Sequence, residues 1–115
     1  MKKTNADRIR QKFTPHQNYQ DALRHLSPDQ LRDSLQHLNT LQAALERSIS
    51  DYALDLTHDL LDDENPQIVR TFWFSKGIRD YYLCIDGTGL IRAIENTMPN
   101  PLFDQIMSTL DPFYT

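Results

Sequence analysis

The sequence predicts an α+β fold: N-terminal helices including one long amphipathic helix, a three-stranded antiparallel β-meander, and a C-terminal covering helix. Three observations carry this. Large apolar residues recur at steps of three and four from Leu31 to Leu56, the signature of one helical stripe. From Ile68 the pattern changes to runs of β-branched and aromatic residues divided by glycine-containing turns. A second, shorter amphipathic stretch follows Pro101.

Taken in order, the first thirteen residues read as a flexible basic head, with Lys2, Lys3, Arg8, Arg10 and Lys12 countered only by Asp7. Residues 14–115 read as one α+β domain, of which 14–64 form the helical half. Thr14 before Pro15 has the form of an N-cap with proline at the first helical position, and Tyr19, Ala22, Leu23 and Leu26 give the short helix that follows an apolar face. Ser27, Pro28 and Gln30 form a capping-box pattern that opens the long helix, predicted to run from Ser27 to Glu64. Its seam holds Leu31, Leu35, Leu38, Gln42, Leu45, Ile49, Tyr52 and Leu56, a seven-residue repeat that suits a partner helix and predicts a homodimer. Gln42 is the lone polar seam residue, of the kind that fixes register. The predicted helix ends in Asp51, Asp55, Asp59, Asp62, Asp63 and Glu64, although a helix C-terminus favours cations.

The meander spans residues 68–95. Ile68 to Ser75 and Arg79 to Asp86 flank Gly77, and Asp86, Gly87, Thr88 and Gly89 make the second turn before the strand Leu90 to Glu95. Strand alternation puts either Phe72 and Phe74 or Trp73 on the buried face, without deciding between them. Asn100 as cap and Pro101 open the last helix, 100–111, whose apolar face is Leu102, Phe103, Ile106, Met107 and Leu110.

Composition narrows the function. The chain has 115 residues, enough for one domain, and a net charge of −4. An acidic body disfavours broad contact with duplex phosphate, which leaves the basic head as the only element suited to nucleic acid. No apolar run reaches the length of a membrane span, and the N-terminus lacks a signal-peptide core, so the expected location is cytoplasmic. The single cysteine, Cys84, sits mid-strand among apolar residues and reads as a buried structural thiol, with no disulfide framework.

Two chemistries are worth weighing. Asp55, His58, Asp59 and Asp62 would share one face of the long helix, an arrangement that could ligate a metal, with a solvated acidic face as the plainer alternative. The Asp86–Gly89 turn lacks the lysine and the longer glycine pattern of phosphate loops and reads as a hairpin turn whose glycines supply positive φ. No histidine makes a recognisable pair with a serine, and although spacing alone permits a Cys84–histidine dyad, the mid-strand apolar setting of Cys84 favours a structural thiol, so no enzyme is expected and no cofactor is required. Neighbouring aromatics in the strands cannot all point inward. Gln42, Leu45, Ile49, Tyr52, Trp73, Tyr81 and Tyr82 are therefore the candidate interaction residues of a non-enzymatic regulatory or protein-binding protein of the inhibitor, immunity or adaptor type. A small-ligand or metal sensor is the alternative.

Overall fold

The computed structural model describes residues 14–15, 24, 26–57, 59–61 and 67–114. The basic head and most of the predicted first helix, including Tyr19, Ala22 and Leu23, lie outside them. Thr14–Pro15, expected to start that helix, instead form a short strand, β1, paired antiparallel with Leu60–Leu61.

Helix α1 runs Pro28–Ser48. It opens as the sequence predicts: the Ser27 hydroxyl accepts from the Gln30 N–H at 3.2 Å, and Gln30 Oε1 accepts from the Ser27 N–H at 3.1 Å. It ends well before Glu64. Ile49 is already extended, at φ −112° and ψ 93°, and its N–H closes the last turn on Leu45. The stop agrees with the local sequence, since Ser48, Ser50 and Asp51 are residue types that favour caps and turns over helix interiors and Ile49 is β-branched, and the Ser48 carbonyl is taken up by Gln105 Nε2 at 2.6 Å. The last turn carries Arg47, which suits the helix dipole, so the acidic C-terminus read from the sequence does not arise.

The chain after α1 is strand, not helix. β2, Ala53–Leu56, pairs antiparallel with β4, Ile68–Lys76, at Leu54↔Phe74 and Leu56↔Phe72. β3, Leu60–Leu61, continues along the same edge at Leu60↔Val69. The two registers leave one more residue on this side than on β4, a bulge next to which Asp59 meets Arg70. Tyr52 and Leu54 pack on the core while Ala53 and Asp55 are exposed, an alternation of period two. The helical spacing read through Ile49, Tyr52 and Leu56 is not one face here: Ile49 is buried before the strand begins, Tyr52 packs on the core and Leu56 is 41% exposed.

β4, β5 (Arg79–Asp86) and β6 (Ile91–Ile94) lie side by side and antiparallel, as expected. With β1, β2 and β3 on the far edge of β4 they make a six-stranded sheet among the described residues. Phe72 and Phe74 are fully buried on the helix-facing side with Leu83, Ile85 and Tyr81. Trp73 lies on the opposite face, half-buried against Tyr82 with ring centroids 5.8 Å apart, and Val69, Cys84 and Leu60 are buried on that face. α1 lays Leu31, Leu38, Leu41 and Leu45 on the first face. That stripe follows the 3.6-residue period of a helix on a sheet and takes Leu41 where a heptad seam would have taken Gln42.

α2, Asn100–Leu110, covers the same core with Leu102, Ile106 and Leu110. Pro99 rather than Asn100 is its N-cap, one residue earlier than expected, and Phe103 is 39% exposed. A 3₁₀ turn, Asp111–Phe113, brings the end of the chain back towards the β5–β6 turn. No described helix is long and apolar enough to cross a membrane.

Candidate functional site

The corner where α1, the β5–β6 turn and the C-terminal turn meet is built around Asp86. Its side chain is buried, at 2% relative exposure, and both carboxylate oxygens are engaged. Oδ1 accepts from the Thr88 N–H at 2.9 Å, the Leu90 N–H at 3.1 Å and the Thr88 hydroxyl, and Oδ2 pairs with Arg92 at 3.2 Å. Backbone bonds from Gly89 to Asp86 and from Asp86 to Leu90 close the turn. An aspartate at the first position of a turn routinely folds the next residues around its carboxylate, and here the side chain of Leu90 is left 60% exposed.

The two glycines of the turn do different work. Gly89 has φ +92°, the conformation that favours glycine, and a Cβ there would also lie 2.8 Å from His37 Cε1. For Gly87 the reason is contact: a Cβ would fall 2.4 Å from Ser34 Cβ on α1. The expectation that positive φ explains both is therefore corrected. The close approach lets His37 Nδ1 reach the Gly87 carbonyl at 3.1 Å. A carbonyl only accepts, so Nδ1 is the donor.

The turn is a ridge between two hollows. On the α1 side an open cleft of about 320 Å³ is lined by Leu26, Gln30, Asp33, Ser34, His37, Gln67, Gly87 and Thr88. On the other side Gly89, Leu90, Ile91 and Tyr114 line an apolar hollow of about 240 Å³. Leu90 is joined among the exposed large apolar residues by Phe113 and Tyr114, at 37% and 44%. Partial burial, reinforced by the carboxylates of Asp86 and Asp111, raises the Tyr114 phenol above its ordinary pKa of 10.0.

The residues singled out from sequence fall elsewhere. Leu45 and Ile49 are core. Gln42 faces Arg70: Arg70 Nη1 donates to Gln42 Oε1 at 3.0 Å and to Asn39 Oδ1 at 2.8 Å, while Nε and Nη2 grip Asp59 at 2.8 and 2.9 Å. Tyr81 is buried, Tyr52 is half-buried beside it at 6.4 Å with Lys76 over its ring, and Trp73 and Tyr82 pair with each other. None of these aromatics is among the exposed large apolar side chains. The helical face drawn through Asp55, His58, Asp59 and Asp62 is not formed. Asp55 is exposed on β2, Asp59 is held by Arg70, and His58 and Asp62 lie outside the described residues. Cys84 is buried, its sulfur 3.4 Å from the Thr71 hydroxyl.

No relative identifies the chain. No protein-family model matches the sequence, no curated protein matches it, and no solved structure matches the fold. One part of the corner was legible in sequence, the Pro112, Phe113, Tyr114 ending, which reads as either packed on the sheet or a short recognition tail. Its meeting with Ser34, His37, Gln67 and Asp86 was not, because these lie far apart along the chain, and Leu90 directly after a glycine turn was a further local signal.

Proposed function

We propose that this chain is a non-enzymatic interaction or regulatory protein that binds another protein through the corner formed by the Asp86–Leu90 turn and the Asp111–Tyr114 segment. The observation that supports the reading is the pair of exposed apolar side chains that line the hollow there, Leu90 and Tyr114, with Phe113 exposed next to Tyr114 in the chain. Exposed apolar side chains are common singly, but a group beside a preformed hollow is the arrangement that anchors a partner. The turn beneath is fixed by the hydrogen bonds to Asp86, so little order has to be imposed on binding.

The reactive groups nearby are committed to structure, which supports binding over catalysis. Asp86 holds the turn and Arg92, His37 holds Gly87, and among the described residues the Ser34 hydroxyl makes no hydrogen bond to His37. A photo-crosslinking amino acid at position 90 or 113, introduced in cells, is expected to give one and the same protein adduct, with no such adduct from position 78 at the opposite hairpin tip. Equal labelling from 78 and 90 would overturn the reading.

A further inference from the structure

We infer that the cleft on the α1 side of the turn receives an arginine side chain of the partner protein. The inference rests on the docking reading above and names the chemistry of the residue docked. Its basis is the sign of the hydrogen-bonding groups around the cleft. Gln67, which lines the cleft, has a buried Oε1 with no donor among the described residues, so a guanidinium reaches that oxygen only on a small rotation of the side chain. His37 spends its Nδ1 proton on Gly87, so in the neutral ring Nε2 carries a free lone pair. The Thr88 hydroxyl spends its proton on Asp86, leaving lone pairs only. Asp33 adds a carboxylate, 73% exposed and no nearer than 3.9 Å to Arg32.

The neutral donors are the Gln67 amide nitrogen, the Gln30 amide nitrogen, whose Oε1 is used on the Ser27 N–H, and the Ser34 hydroxyl, which serves either role; none carries a positive charge. A phosphate or carboxylate entering this cleft would meet lone pairs and a like charge. A guanidinium brings five N–H donors in a planar fork, enough to serve acceptors at several points of the wall, and Leu26 offers an apolar surface for the methylene stem. A lysine ammonium has three donors on one atom and fits acceptors spread over two elements less well. The net charge of −4 favours the approach of a basic segment.

The test is an NMR titration of the whole chain with N-acetyl-L-argininamide, using the uncharged isostere N-acetyl-L-citrullinamide as the control. Saturable shifts are expected at the Gln67 side-chain amide and at the Gly87 and Thr88 N–H groups, with citrullinamide binding about tenfold more weakly. Asp33→Asn, a change on an exposed side chain that should not disturb the fold, is expected to weaken the arginine derivative, as is Gln67→Leu. Absence of saturable shifts, equal binding of the two compounds, or indifference to Asp33→Asn would overturn the arginine assignment. Crosslinking at Leu90 would then still stand. Arginine binding without any crosslink at Leu90 would instead overturn the partner and leave a free cationic ligand as the occupant.

Discussion

Gly87 and Gly77 separate two reasons for glycine. At Gly77 φ is +64° but nothing lies within 4 Å of a built Cβ, so Gly77→Ala should cost only about 1 kcal/mol, the penalty of a left-handed alanine. At Gly87 a Cβ would meet Ser34 at 2.4 Å, and the α1 backbone behind it cannot yield freely. Gly87→Ala is expected to cost about 1–3 kcal/mol or more, read as a shift in urea midpoint, and to exceed the cost at Gly77. The reverse order would mean that α1 does not sit so close to the turn. Tyr114 makes a prediction in pH. Its folded pKa is raised, so the stability linked to it is intact below the unfolded value near 10 and is lost as pH rises through the folded value. Ultraviolet titration of wild type beside Tyr114→Phe should place the ionisation of Tyr114 above the ordinary range, and Asp111→Asn should bring it down. An unchanged titration in that variant would remove Asp111 as a cause.

The elements show where sequence pattern is informative and where it misleads. Helix α1 begins where Ser27 and Gln30 say it should, and β4, β5 and β6 follow their apolar runs and glycine turns. Its end was illegible because Leu31, Leu38 and Leu45 satisfy a heptad and a helix-on-sheet stripe equally well. Ile49, Tyr52 and Leu56 happened to prolong the count, while the breaking power of Ser48, Ser50 and Asp51 is local and weak. Ser50→Pro tests the boundary. Ile49 already has the extended conformation that a following proline requires, so the change should cost less than about 1 kcal/mol. A helix continuing to Glu64 would lose about 3 kcal/mol or more. Between elements, the guanidinium of Arg70 ties β4 to α1 and to Asp59 while only 9% exposed. Arg70→Met leaves Asp59 without its cation and is expected to cost about 3 kcal/mol by urea denaturation. A loss below 1 kcal/mol would mean that water serves Asp59 as well as Arg70 does.

At the scale of the molecule, the helices and the sheet close the core from one side, and two exposed apolar side chains, Leu90 and Tyr114, flank a hollow where the last turn meets the β5–β6 hairpin. The corner is assembled from four separate stretches of chain, around Ser34, Gln67, Asp86 and Tyr114, which is why composition and periodicity pointed instead to the long helix and the strand aromatics. The α1 stripe is covered by the chain's own sheet and α2, so an interface with another protein is better sought at the corner. Leu90→Asp puts a charge on an exposed side chain and should leave the urea midpoint within about 0.5 kcal/mol of wild type. Docking at the corner is therefore best tested by native mass spectrometry of the untagged protein after gentle lysis, wild type beside Leu90→Asp. A complex with a second protein is expected for wild type and the bare chain for the variant. A homodimer indifferent to the substitution, or a chain carrying only a metal or small-molecule increment in both samples, would contradict it.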